Sequence, residues 1–217
     1  MIITEQKPFA QLIDILKTAN KIFLIGCGEC ATSCKTGGEK EIAELKDKLQ
    51  ASGKEVVGSC IPKAPCVASQ LKAELAKNIK DLRKADSILV LACGLGVQSA
   101  KENDRLGLAV LPGCNTLFGA VMDSRGNFYE KCSLCGECIL DITGGICPVT
   151  ICSKGLLNGP CGGMDSGKCE VDKNKDCAWV LIYRELEKTG KLANFRKIQK
   201  ARQHTKSIRP RELLINK

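Results

Sequence analysis

Residues 21–38 read KIFLIGCGECATSCKTGG. The unbroken apolar run KIFLIG at 21–26 stops at a loop of glycine and cysteine, and an amphipathic stretch follows at 38–51. A short continuous apolar run bounded by glycine marks a strand buried on both faces. Ile42, Leu45 and Leu49 then share one face of a helix that Ser52 and Gly53 close. The same unit recurs along the chain. KEVVGS ends at Cys60, a helix over 67–83 carries Leu71, Leu75, Ile79 and Leu82, SILVLA ends at Cys93, and LGLAVLPG ends at Cys114. Upstream, residues 8–19 form a short amphipathic helix with Phe9, Leu12 and Leu16 on its buried side. This alternation predicts an α/β fold: an N-terminal open parallel sheet of about four strands flanked by helices. A cysteine-rich, metal-organised domain and a C-terminal helix follow, dividing the chain at 1–125, 126–178 and 179–217.

Cys27, Cys60, Cys93 and Cys114 each stand just past the C-terminal end of a predicted strand. That is the edge at which open α/β sheets bind ligands. Cys27, Cys30 and Cys34 lie within the loop quoted above, and a fourth ligand for them comes from Cys93 or Cys60. Iron–sulfur is the favoured content, with zinc or redox thiols as alternatives. The bland reading for Cys60 or Cys114 alone is a core thiol. Gly26, Gly28 and Ala31 satisfy a relaxed dinucleotide-binding pattern, but the loop runs on to Gly38 before the helix starts, which disfavours a nucleotide. Gly94 to Gln98 is read as a turn into a short helix, and residues 111–130 as a hinge.

Residues 132–177 hold eight of the fifteen cysteines. Cys132, Cys135 and Cys138 form a CxxCxxC run, in which one tight loop can wrap three corners of a [4Fe-4S] cluster. The fourth ligand is open, because Cys147-Pro148 keeps the proline of the ferredoxin run but stands beyond a longer gap, so Cys147 fits either of two centres. The remaining five, Cys147, Cys152, Cys161, Cys169 and Cys177, are enough for a second centre. The apolar residues of this lobe have no sustained period, so metals take over part of the work of a core.

The chain has 217 residues, 44% hydrophobic but only 4% aromatic, and a formal net charge of +9. From Lys191 onward nine Lys and Arg face one Glu, so nearly all the excess lies in the tail. Each four-thiolate cluster would add negative charge to the body. The basic tail reads as a docking arm for a partner protein or as a solvated tail; no nucleic-acid module accompanies it. His204 is read as solvated and Trp179 as core or subunit interface. With no apolar run long enough to span a bilayer and no signal-peptide pattern, a cytoplasmic protein without membrane insertion is expected. In that reducing compartment the cysteines are metal ligands rather than disulfides.

GCGECATSCKTGG, LACGLGVQ, LPGCNTLFG, CSLCGEC, GGICPVTICSKGLLNGPCGG and GKCEVDKNKDCAWVLIYREL together resemble the methylenetetrahydrofolate reductase C-terminal-type cysteine-rich family. The likeness covers nearly the whole chain and is strongest to the small iron–sulfur and zinc subunit found in acetogenic bacteria. The resemblance implies a non-catalytic electron-transfer subunit of the Wood–Ljungdahl pathway. Its partners would be a flavin-containing reductase subunit, with FMN or FAD in that partner and not in this chain, and ferredoxin or another electron donor. It implies two [4Fe-4S] clusters, three at a stretch, with zinc as the alternative at one site. The cofactor-binding positions carried over are Cys27, Cys30, Cys34, Cys60, Cys93, Cys132, Cys135, Cys138, Cys147, Cys152, Cys161, Cys169 and Cys177. All of these but Cys60 are expected as metal ligands, while Cys66 and Cys114 look like additions to the family pattern. A purely structural metal-binding subunit and a zinc-thiolate enzyme are the alternative functions.

Overall fold

The computed structural model describes residues 1–215. The chain divides into two compact units, Met1–Phe118 and the residues from Gly119 onward. The elements of the first are β1 (Ile2–Gln6), α1 (Phe9–Ile15), β2 (Lys21–Ile25), α2 (Cys30–Ser33), α3 (Glu39–Ala51) and β3 (Glu55–Cys60). They continue through α4 (Ala68–Lys77), α5 (Ile79–Leu82), β4 (Ser87–Val90), α6 (Gly94–Asn103) and β5 (Ala109–Pro112). The boundary between the units falls inside β6 (Cys114–Met122), and β7 (Phe128–Glu130), α7 (Pro148–Ile151) and α8 (Ala178–Lys188) follow.

The main sheet has the order β3-β2-β4-β5, with every neighbouring pair parallel. Alternate residues of its strands feed two separate apolar layers, as a pleated strand requires. Ile22 and Leu24 join Leu12, Leu16, Leu45, Leu49, Leu89 and Leu91 in one layer. Phe23 and Ile25 join Leu71, Leu75, Leu82, Ile88 and Val90 in the other. Residues of α1 and α3 thus cover one face, and residues of α4, α5 and α6 the other. Burial on both faces is why the central strands β2 and β4 read as continuous apolar runs.

The expected parallel sheet is present, with differences in detail. The helix expected over 67–83 is interrupted at Asn78, whose side-chain amide donates back to the Glu74 carbonyl at 2.9 Å. Such local bonding competes with helix continuation. The turn after Cys93 is a ten-residue helix, α6. β1, β6 and β7 were not expected. In β6, Leu117, Val121 and Met122 are exposed, so its sequence lacks the apolar signature of a buried strand. α3 begins with a half capping box in which the Gly38 N–H donates to Glu41 Oε2 at 2.9 Å.

In the second unit, Ala120–Met122 and Phe128–Glu130 form an antiparallel hairpin. Asp123 closes its turn, Oδ1 accepting from the Arg125 and Asn127 N–H groups at 2.8 and 2.9 Å. The apolar centre of the unit is small: Cys177, Trp179, Ile182 and Leu186, backed by Ile146, Cys152 and Phe195. Phe195 packs edge-on against both Trp179 and Tyr183. Trp179 is therefore a core residue, and its indole N–H donates to the Leu156 carbonyl at 3.2 Å. No described helix is long and apolar enough to cross a membrane.

Candidate metal centre

In the first unit the strand ends align: Ile25 stands opposite both Cys60 and Val90, and Val90 opposite Pro112. The connections leave β2 toward β3 on one side and enter β4 on the other, so the strand order reverses between β2 and β4. Such a reversal opens the ligand crevice of an α/β sheet. Cys27 follows β2 and Cys93 follows β4, capping the N-terminus of α6. The loop after β3 returns over the same ground. The Gly28 N–H donates to the Pro62 carbonyl at 3.0 Å, and a Cβ on Gly96 would meet Pro65 at 3.1 Å.

That loop delivers Cys66. Desolvation pushes its thiol up, the Cys93 sulfur adds to this and a backbone hydrogen bond opposes it, with Cys27 and Cys30 contributing further upward pressure. Cys66, set aside in the sequence as an addition, thus has Cys93, Cys27 and Cys30 as electrostatic neighbours. Cys30 Sγ accepts from the Ile2 N–H at 3.5 Å. Cys114 donates to the Thr36 carbonyl at 3.7 Å. Burial pushes the Cys114 thiol up to about 12, eased by the Thr36 side-chain hydroxyl and by Lys7, with Cys34 and Cys93 acting upward. Cys60 stands apart from this group. It is buried in the apolar layer with Phe23, Leu71 and Leu75, and burial, then Glu74, pushes its thiol up to about 12. The structure gives Cys60 the surroundings of a core thiol.

In the second unit the eight cysteines separate into two sets. Cys132, Cys135, Cys138 and Cys147 line one cavity of about 190 Å³, together with Leu134, Glu137 and Arg202. Cys152, Cys161, Cys169 and Cys177 line another of about 20 Å³, with Lys154, Glu170 and Trp179. Cys147, which the sequence left between two centres, lines the same cavity as the CxxCxxC loop. Leu134 and Gly136 sit at positive φ, 55° and 80°, which curls the loop back on itself. For leucine this is a strained conformation. It directs the Leu134 N–H at Cys132 Sγ, 3.4 Å away. Burial acts to raise the Cys135 thiol, but hydrogen bonds from the Glu137 backbone and Ser133, together with the Arg202 guanidinium, outweigh it and hold the thiol below its ordinary value.

In the smaller cavity Cys161 donates to Glu170 Oε1 at 3.5 Å, and Cys169 Sγ and Ser153 Oγ are hydrogen-bonded at 3.6 Å. Glu170 is paired with Lys154. Hydrogen bonds from the backbone of Asp172 and from Ser153 hold the Cys169 thiol below its ordinary value. Cys177 caps α8, whose N–H-rich end favours negative charge. Among the described residues no group of three or more His, Cys, Asp or Glu side chains is placed to hold a metal ion. The donor set fits a thiolate-ligated centre in chemistry, with four thiols on each cavity and backbone N–H groups turned toward sulfur.

The basic tail is folded back on this unit. Asn158 and the Gln199 backbone exchange two hydrogen bonds, at 2.9 and 2.7 Å. Arg202 Nη2 donates to the Glu137 carbonyl at 2.8 Å, and Arg211 Nη1 to the Leu134 carbonyl at 2.8 Å. Glu137 accepts from the Gln203 N–H at 3.1 Å and pairs with Lys206. The Gln203 hydrogen bond, more than the Lys206 and Arg202 charges, holds the Glu137 carboxyl below the usual range despite some desolvation. These residues were read in the sequence as a docking arm or a solvated tail, whereas Arg202 lines the larger cavity. The spacing gives no hint of this, because Arg202 and Glu137 are 65 residues apart.

Residues 111–205 match the family described as methylene-tetrahydrofolate reductase C terminal. The matched span takes in every cysteine of both cavities and Arg202, and it bears out the resemblance for the motifs within it, while GCGECATSCKTGG and LACGLGVQ lie outside the match. No curated protein and no solved structure matches the chain. What the family name adds is a link to methylenetetrahydrofolate reductase; the thiol geometry comes from this chain.

Proposed function

We propose that this chain is an iron–sulfur electron-transfer subunit of a cytoplasmic methylenetetrahydrofolate reductase. It passes electrons to the flavin of a partner catalytic subunit that reduces 5,10-methylenetetrahydrofolate to 5-methyltetrahydrofolate. The observation that carries this reading is the division of the eight thiols of the family-matched region into two cavities lined by four each. Four cysteines are the full ligand complement of one [4Fe-4S] cluster. In this reading Cys132, Cys135, Cys138 and Cys147 hold one cluster, and Cys152, Cys161, Cys169 and Cys177 hold a second. In the first unit Cys27, Cys30, Cys34 and Cys93 are the thiols of a third centre at the sheet edge in this reading, with Cys66 as a further candidate.

A bound cluster supplies one-electron exchange. The residues of this chain hold the sulfur ligands, exclude water from part of each cavity and aim N–H groups at sulfur. Reducing the folate takes an electron pair and two protons, and a flavin can gather single electrons into that pair. Ferredoxin or another one-electron carrier fits as the donor. No residue of this chain is assigned as acid or base.

The deciding experiment is anaerobic analysis of iron, sulfide and zinc in the chain copurified with its flavoprotein partner. About eight irons with matching sulfide are expected for the two centres of the second unit, and about twelve if the first unit is also loaded. Cys147→Ser and Cys161→Ser are each expected to remove about four irons, from different centres. Zinc with no iron would sink the electron-transfer reading. The small volume of the Cys152 cavity favours a second reading in which that set holds zinc and only supports the fold. About one zinc, retained in Cys147→Ser and lost in Cys161→Ser, would identify that case.

A further inference from the structure

Arg202 carries a donor that the protein leaves unused. Its Nη2 donates to the Glu137 carbonyl at 2.8 Å, whereas Nη1 is buried and has no hydrogen-bond partner among the described residues. A buried donor without an acceptor is costly, and a charged one more so. Yet the chain fixes the backbone on both sides of this residue. Gln199 is tied to Asn158, Gln203 and Lys206 to Glu137, and Arg211 to the Leu134 carbonyl. Gly136, at φ +80°, lets the Lys206 carbonyl approach so closely that a Cβ there would meet it at 3.0 Å. The result of all these contacts is a guanidinium on the wall of the cavity lined by Cys132, Cys135, Cys138 and Cys147. The acceptors for which that wall is built are sulfur atoms.

We propose that Arg202 donates its Nη1 hydrogen to sulfur of the centre held by these four cysteines and thereby raises that centre's reduction potential. The proposal rests on the cluster reading given above. On taking one electron from an external reductant the four-thiolate centre becomes more negative by one charge. A fixed cation at the cavity wall stabilises that reduced state more than the oxidised one. The part of the tail from Gln199 to Arg211 is then the clamp that positions Arg202.

The test is a redox titration, followed by electron paramagnetic resonance, of the full chain copurified with its partner. Wild type is compared with Arg202→Gln and Arg202→Lys, with iron and sulfide counted in each. Arg202→Gln is expected to disfavour reduction of one centre about tenfold, a drop of about 59 mV for one electron, and to leave other centres unmoved. Arg202→Lys, which keeps the charge, is expected to recover most of that drop. Equal potentials in wild type and Arg202→Gln at unchanged iron content would overturn the proposal. So would loss of the same irons from both variants, since Arg202 would then only support packing. Absence of iron and sulfide from the wild-type chain defeats the cluster reading itself, and that result is read before any variant is made.

Discussion

Cys60 and Cys66 flank one loop and meet opposite surroundings. Cys60 is sealed among apolar side chains, and its thiol is pushed up to about 12 from an ordinary 9.0 by burial and, secondarily, by Glu74. The unfolded chain therefore loses this proton first as pH rises. The stabilising contribution is full below pH 9 and disappears between pH 9 and 12, with a limiting slope of about 1.4 kcal/mol per pH unit for one thiol. Cys60→Ala is expected to cost about 1 kcal/mol at neutral pH and to flatten the loss of stability above pH 9. Urea denaturation at a series of pH values measures both. The same substitution should leave metal content unchanged, whereas Cys66→Ser should lower it by the content of the first unit's centre; retention of all metal in Cys66→Ser would place Cys66 outside that centre. From sequence the two cysteines were ranked the other way. Cys60 ends a strand at the ligand edge and looked functional, while Cys66 sits in a Pro-rich loop whose path over Gly28 and Gly96 only the fold reveals.

At the scale of elements, strands β2 and β4 were legible because burial on both faces leaves an apolar run with no polar alternation. The edge strands β3 and β5, only partly buried, were legible from their place in the repeating unit. β6 was not, since its exposed Leu117, Val121 and Met122 make it read as a hinge. Helix α3 announced itself through both its apolar stripe and the glycines before it. Its cap is a defined test: Glu41→Ala removes the acceptor for the Gly38 N–H and is expected to destabilise the first unit by about 1 kcal/mol, read as a lower denaturation midpoint. The tail is the element that sequence misjudged, because a run of Lys and Arg looks the same whether solvated or folded back on carbonyl groups. Ending the chain at Ile198 should strip the iron of the Cys147 cavity and spare that of the Cys177 cavity. Full retention of iron in that shortened chain would show that the tail is no part of the site.

For the molecule as a whole, the two units rest on different supports. The first has two apolar layers fed by both faces of a parallel sheet. The second has a four-residue apolar centre and eight thiols, so bound metal would supply much of its folding energy. Iron chelation under anaerobic conditions is expected to abolish the thermal transition of the second unit and leave that of the first in place, as resolved by calorimetry. The predominance of cysteine in residues 132–177 made this contrast legible in the sequence. The partition into four and four was not, because ligand sets are assembled by loop paths that spacing does not encode.

The position of Arg202 also bears on biosynthesis. The chain leaves the ribosome from its N-terminus, so all eight thiols of the second unit emerge before the residue that lines the larger cavity. During that interval the Cys132, Cys135, Cys138 and Cys147 set has neither its cation nor the Arg211 and Gln203 contacts that hold its loop. Iron delivered to the nascent chain would meet an unfinished pocket there, while the Cys152 set already has Trp179 and the start of α8 beside it. The wall of the larger cavity is complete only once the tail from Gln199 to Arg211 has folded back on its loop.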